Sequence, residues 1–198
     1  MNSFASRAGE KLQFALDSFK VSVKDLIVAD FGSSTGGFVD CLLQNGAKKV
    51  YSVDTSYGEL AWKLRNDPRV VVMERTNAMH IILPEKVDLI TIDVGWTKQE
   101  KILPNAFKNL KNPTSRRASQ SLVRRAGKAS RGAVISLIKP HYEAGRAKLT
   151  DEIVDQVVQK TLEDIKESGG KVEKIVESPI LGEKGKNKEF LALITSKM

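Results

Sequence analysis

A parallel-dominated α/β sandwich is the fold this sequence predicts, on three observations. Short apolar runs of strand length alternate with segments of helical period over most of the chain. The strand interiors are apolar on both faces, as in Ile27, Val28 and Ala29, which fits a sheet covered on both sides. A glycine-rich turn separates the first strand from the helix after it. The 198 residues suit one domain, and a hydrophobic fraction of 41% is enough for a core.

Element by element, Leu12, Ala15, Leu16 and Phe19 recur at helical spacing, so Ala8 to Phe19 is expected to be a helix. Leu26 to Phe31 is a buried strand closed by glycine, and Phe38 to Asn45 a helix. Lys49 to Val53 is the second strand, Leu60 to Arg65 a short helix, and Arg69 to Met73 the third strand. Val87 to Ile92 and Ala133 to Ile138 are the fourth and fifth strands, ending on Asp93 and Lys139. Asp151 to Glu167 is a long amphipathic helix with Ile153, Val154, Val157, Val158, Leu162 and Ile165 on one side. Gly169 and Gly170 stop it. Lys171 to Val176 and Phe190 to Thr195 complete seven strands. There are no internal repeats.

One stretch breaks the pattern. Lys108 to Arg131 contains Lys108, Lys111, Arg116, Arg117, Arg124, Arg125, Lys128 and Arg131, and no Asp or Glu. It reads as a basic insertion in a single domain spanning residues 1–198. The net charge of +8 and pI near 9.5 favour a polyanionic partner. No apolar run approaches the ~20 residues of a membrane span, and Met1 to Gly9 has no apolar signal core. The lone Cys41 has no internal disulfide partner. Together these lead us to expect a soluble cytoplasmic protein.

Two motifs carry chemistry. In Ala29-Asp30-Phe31-Gly32-Ser33-Ser34-Thr35-Gly36-Gly37-Phe38 the glycines let the backbone approach a ligand at a helix N-terminus. Asp54, at the tip of the next strand, has a carboxylate suited to ribose hydroxyls. The turn does not read Gly-x-Gly-x-x-Gly, which argues against a dinucleotide. A nucleoside cofactor is therefore expected in the crevice outside the strand ends, with Asp93 and Lys139 facing it. His80 and His141 are expected to be structural, with His141 near the site. Tyr57 and Trp62 are expected to pack.

These residues resemble the hemolysin-like TlyA group of ribosomal RNA methyltransferases, within the broader FtsJ-like class. The likeness runs through Ser6-Arg7-Ala8-Gly9-Glu10-Lys11-Leu12, Asp30 to Phe38 and Asp40-Cys41-Leu42-Leu43. It continues through Val53-Asp54, Tyr57-Gly58, an almost unbroken run from Trp62 to Asn77, Ile92-Asp93-Val94, Ile138-Lys139-Pro140 and Ser178-Pro179-Ile180. The resemblance implies a Rossmann-like S-adenosylmethionine-dependent methyltransferase fold, with a mostly parallel seven-stranded sheet and helices on both faces. It implies transfer of a methyl group to a ribose 2′-hydroxyl, with ribosomal RNA or ribosomal subunits as partner and no metal.

By position, the resemblance also implies a tetrad of Lys11, Asp93, Lys139 and Glu189, with Lys139 as base. A lysine accepts a proton readily only if its pKa falls below about 10.4. Partial burial and the nearby Lys11 cation are expected to lower it. Cofactor contacts are implied for Asp30, Gly32, Ser33, Ser34, Thr35, Gly37, Phe38, Asp54, Asn77, Ala78 and Asp93.

The chain departs from the group in four places. Members usually carry a small S4-type RNA-binding domain first, whereas this sequence starts almost directly at Ser6-Arg7. Gly95-Trp96-Thr97 follows Asp93-Val94 where Ser-Phe-Ile is more usual, and His141-Tyr142 stands where Gln-Phe is more common. The basic stretch is longer than expected, and Arg116, Arg117, Arg124, Arg125, Lys128 and Arg131 are the candidate RNA contacts that would compensate for the S4 domain. A competing reading is a non-catalytic RNA-binding or ribosome-assembly protein on a methyltransferase scaffold. A membrane-active protein is disfavoured because the long helix is most simply placed on the sheet.

Overall fold

The computed structural model describes residues 4–95, 97–112, 132–146, 148–182 and 187–197. In chain order these form α1 (Ala8–Phe19), β1 (Ile27–Phe31), α2 (Gly37–Gln44), β2 (Lys49–Val53), α3 (Trp62–Arg65), β3 (Val70–Met73) and β4 (Leu89–Ile92). There follow α4 (Gln99–Asn109), β5 (Ala133–Ile138), α5 (Pro140–Glu143), α6 (Asp151–Glu167), β6 (Gly170–Glu177) and β7 (Phe190–Ser196).

The strands make one sheet in the order β3-β2-β1-β4-β5-β7-β6. The first five run parallel, and β7 pairs antiparallel with both β5 and β6. The mostly parallel seven-stranded sheet expected from the alternating pattern is therefore present. Strand order reverses between β1 and β4. The chain leaves β1 towards β2 on one side and comes back to β4 on the other, so the loops after these strands diverge. A crevice opens at their carboxyl ends.

Each face of the sheet has its own core. On one face Leu12, Leu16 and Phe19 of α1 and Val39 and Leu42 of α2 pack on Val28, Val50 and Leu89. On the other, Ile102, Leu103 and Phe107 of α4 and Ile165 of α6 pack on Phe31, Ile90 and Ile92. Inward residues on both sides account for the near-continuous apolar strands.

Helix α4 is not apparent in the sequence. Its apolar positions are spaced for a helix, yet Pro104 stands inside it and Lys, Gln and Asn surround them. An interior proline costs about 3 kcal/mol. Ile102, Leu103 and Phe107 are buried, and each large apolar side chain contributes about 1.5–3 kcal/mol, which outweighs that cost. The helix also shifts the start of the basic stretch. Lys108 lies within α4, and Val87 N–H donates to Asn109 O at 3.0 Å while Lys111 N–H donates to Val87 O at 2.9 Å. Lys111 Nζ then pairs with Asp88 at 3.1 Å. Lys108 to Lys111 thus belong to the packed fold rather than to an insertion.

Asp30 sits in the middle of the sheet and is fully buried. Thr91 Oγ1 donates to its Oδ1 at 2.6 Å, while Oδ2 has no hydrogen-bond partner among the described residues. Burial pushes its carboxyl up to about 8; the Thr91 hydrogen bond opposes this, and the charges of Asp93 and Asp54 add to it. The folded pKa exceeds the unfolded value, so the folded state holds the extra proton. Asp30's contribution to stability is fully present below the unfolded value of 3.8 and is lost as pH rises towards about 8. Over that window the slope is at most about 1.4 kcal/mol per pH unit. Asp30→Asn should remove this slope, so its urea-unfolding stability gains on wild type between pH 5 and pH 8. Parallel curves for the two proteins would show that Asp30 does not titrate there.

Candidate active site

The crevice at the strand ends has two lobes that share Gly32, Ser34 and Asp93. The larger, of about 630 Å³, is lined by Gly32, Ser33, Ser34, Thr35, Gly37 and Phe38 from the loop after β1, together with Lys11, Asp93, Lys139 and Glu189. The smaller, of about 260 Å³, is lined by Gly32, Ser34, Asp54, Asn77, Ala78 and Asp93. Every candidate residue from the described part of the chain, apart from Asp30, borders one of the two. Asp30 lies behind the loop in the sheet. The candidate RNA contacts Arg116, Arg117, Arg124, Arg125, Lys128 and Arg131 fall outside the described residues.

The loop after β1 is shaped by its own hydrogen bonds. The Gly32 and Ser33 N–H groups both donate to Val53 O, at 2.8 and 3.2 Å, and the Ser33 hydroxyl accepts from Ser52 at 2.7 Å. These tie the loop to the end of β2. Gly32 has φ +87°, and a Cβ there would lie 2.5 Å from the Asp93 carbonyl oxygen. Only glycine lets the loops after β1 and β4 come this close. A Cβ on Gly37 would overlap the Ser6 hydroxyl. The start of α1 therefore rests directly on the start of α2, which brings Lys11 to the crevice.

Asp54 is held in place from both sides. Its Oδ2 accepts the Ser34 N–H at 2.7 Å, and its Oδ1 accepts the Ser56 N–H at 2.8 Å and the Ser56 hydroxyl at 2.7 Å. One acceptor position on Oδ2 is left for a ligand hydroxyl. Across the lobe, Asn77 Oδ1 accepts the Met79 N–H at 2.9 Å, which closes a turn. Helix α4 supports this turn from behind, since Asn105 Nδ2 donates to Ala78 O at 2.8 Å and to Ile81 O at 3.0 Å.

Two ion pairs form the floor of the larger lobe. Lys11 Nζ lies 2.5 Å from Glu189 Oε2, with side chains 10% and 4% exposed. Lys139 Nζ lies 2.6 Å from Asp93 Oδ1, with side chains 16% and 17% exposed. Distant parts of the chain thus place two cations and two anions together in partly desolvated space. The expected lowering of the Lys139 pKa is not what this arrangement produces. Burial does pull it down, but the charge and hydrogen bond of Asp93, with smaller help from Glu189 and Tyr142, leave it above its ordinary value of 10.5. Lys11 is matched by Glu189 at contact distance, so it does not act as an uncompensated neighbouring cation.

Two aromatic positions differ from expectation. Tyr57 and Trp62 are 68% and 76% exposed, not packed. They flank an open groove, where Arg75 lies over the Tyr57 ring at 4.4 Å. His141 is buried, but it lines the larger lobe beside Tyr142. The signal for both is their position just after Lys139 at a strand tip. Among the described residues there is no group of three His, Cys, Asp or Glu side chains placed to hold a metal. None of the described helices is long and apolar enough to cross a membrane.

This architecture is shared with known proteins. YqxC of Bacillus subtilis, which bears the name of an rRNA methyltransferase, is 46% identical over 150 residues, covering 72% of this chain and 46% of its own. The 16S/23S rRNA (cytidine-2′-O)-methyltransferase TlyA of Mycobacterium tuberculosis is 40% identical over 152 residues, covering 74% of this chain and 49% of its own. The chain thus spans about half the length of these two curated relatives. A solved structure of a hemolysin-named protein from Streptococcus thermophilus superposes with a TM-score of 0.84 at 34% identity, over 99% of this chain and 68% of that one. The family model described as FtsJ-like methyltransferase matches residues 4–194, from ahead of the helix that carries Lys11 to beyond Glu189. With the two-lobed crevice wholly inside that span, this chain belongs to the FtsJ-like methyltransferase family.

Proposed function

We propose that this protein is an S-adenosylmethionine-dependent methyltransferase that modifies a ribose 2′-hydroxyl of ribosomal RNA in the cytoplasm. The observation that carries this reading is the joining of the Lys11–Glu189 and Lys139–Asp93 pairs to a nucleoside-sized lobe in one crevice. The relatives named for rRNA methylation support the substrate, and so does the charge of +8.

The residues present fit the cofactor. Asp54 has acceptor capacity for a ribose hydroxyl, Asn77 and Ala78 edge the adenine end, and the close approach at Gly32 leaves room for the methionine end along Ser33, Ser34, Thr35, Gly37 and Phe38. When bound, the cofactor supplies an already activated methyl group, so the protein's task is mainly alignment and proton removal. The neutral form of Lys139 Nζ takes the proton that the hydroxyl loses on methylation. Asp93 fixes that amine, and Glu189 fixes Lys11 beside it, so the cluster stays charge-balanced. The basic stretch from Arg116 to Arg131 would hold RNA phosphates, giving affinity that falls with salt.

Transfer of labelled methyl groups from S-adenosylmethionine to naked rRNA, subunits and whole ribosomes tests the proposal. Label in ribose supports it. RNA binding with cofactor binding but no transfer to any form would favour the non-catalytic reading. Asp54→Ala should weaken S-adenosylhomocysteine binding by about 10–100-fold, from the loss of one charged hydrogen bond. Calorimetry reads this directly, and an unchanged affinity would remove Asp54 from the cofactor site.

A further inference from the structure

The larger lobe holds more space than the cofactor would fill. At about 630 Å³ it is more than twice the 260 Å³ lobe around Asp54. With adenosine in the smaller lobe, only the methionine end remains to be placed beside the glycine loop. The rest of the space lies next to Lys139, where α5 contributes His141 and Tyr142.

His141 is 6% exposed, and its Nδ1 is shut off from solvent with no hydrogen-bond partner among the described residues. Burial, reinforced by the charge of Lys139, holds its pKa below the usual 6.5, so the ring is neutral at pH 7. A neutral imidazole has one N–H and one lone pair. A buried N–H without an acceptor is rarer than an unfilled acceptor, which assigns the proton to Nε2. The Tyr142 ring stands beside it, with centroids 4.1 Å apart and planes tilted by 51°, and Lys139 Nζ is 5.4 Å from the Tyr142 centroid.

We propose that His141 and Tyr142 form the subsite for the base of the acceptor nucleotide. The base, turned out of its stack, lies against the Tyr142 ring, and His141 Nε2–H donates to an acceptor atom on its edge. A neutral ring offers a dipole and not a charge, so the chemistry His141 itself recognises is a nucleobase edge; a phosphate would favour the cations that line the same lobe, Arg7 and Lys11. This inference rests on the methyltransferase reading above and adds which side chains select the nucleotide.

Nuclear magnetic resonance of the imidazoles tests it on the full chain. The sequence holds two histidines, so the spectrum has two sets of ring signals, and His80→Gln identifies those of His141. Saturating S-adenosylhomocysteine, with binding verified first by calorimetry, occupies the smaller lobe. The four ribonucleoside 5′-monophosphates and ribose 5-phosphate are then titrated separately. At least one nucleotide should move the His141 signals saturably, ribose 5-phosphate should not, and Tyr142→Ala should weaken that nucleotide by about fivefold or more. Equal shifts from ribose 5-phosphate, or none from any nucleotide, would overturn the subsite. If S-adenosylhomocysteine itself fails to bind, the methyltransferase reading is what falls. Cofactor binding with silent His141 signals sinks the subsite alone.

Discussion

Lys139→Ala should lower the methyl-transfer rate by about 10²–10⁴-fold, the usual contribution of a positioned general base, while changing S-adenosylhomocysteine affinity little. Lys139→Arg is the sharper variant. It keeps a cation beside Asp93, so the pair at 2.6 Å has a substitute, but a guanidinium does not give up its proton in proteins. Equal losses in both variants would identify the transferable proton, not the charge, as the contribution of Lys139. The pH dependence follows from the same contact. Asp93 keeps the Lys139 amine protonated above its ordinary 10.5 in the unliganded site, and only the neutral amine accepts a proton. Since kcat/KM reports the free enzyme, it should climb about tenfold per pH unit through pH 7 to 9 without levelling. A plateau below pH 8 would mean that a different group is the base, and Lys139→Arg activity near that of wild type would mean the same.

That dependence marks a limit on what a sequence conveys. The residues of the cluster can be picked out, because Asp93 and Lys139 end strands that an apolar run makes visible, and Lys11 and Glu189 follow from motif position. Their electrostatics cannot. Whether Lys139 feels Lys11 or Asp93 more strongly depends on contacts of about 3 Å between residues tens of positions apart, and here each cation meets its own carboxylate. The strands are legible because both faces of the sheet are covered, leaving apolar runs such as Leu89 to Ile92, broken only by Thr91. Helix α4 is hidden by Pro104 and by the polar residues between its four core positions. Helix α5 has only four residues, too few for a period to be visible. Tyr57 and Trp62 mislead because aromatic side chains usually supply core area, and no local pattern says that a turn before α3 and the first residue of that helix will leave them outward. Asp30 looks like a cofactor contact from its place at the head of the glycine loop. Strand alternation, carried one residue further, turns its side chain into the sheet, where Thr91 meets it.

Among the described glycines, Gly32→Ala should be the most damaging single-methyl change. At φ +87° an alanine carries the left-handed penalty of about 1–2 kcal/mol, and its Cβ would stand 2.5 Å from the Asp93 carbonyl oxygen and 2.8 Å from the carbonyl carbon. Both are backbone atoms at the end of β4, so no flexible side chain can yield, and overpacking of this kind adds about 1–3 kcal/mol. The expected loss in urea unfolding is therefore about 2–5 kcal/mol. The functional loss should exceed what the unfolded fraction explains. Pushing the Asp93 backbone away moves its carboxylate relative to Lys139, and it also opens the point where the two lobes meet. Measured on the folded fraction, Gly32→Ala should lower both S-adenosylhomocysteine affinity and methyl transfer, whereas Lys139→Ala should lower transfer alone. Gly58→Ala is the control, since it also has a positive φ, of +79°, with nothing within 4 Å of where its methyl would stand. It should show the backbone penalty without the loss of cofactor. If the two glycine variants behave alike, the close approach of the β1 and β4 loops is not what shapes the cofactor cradle.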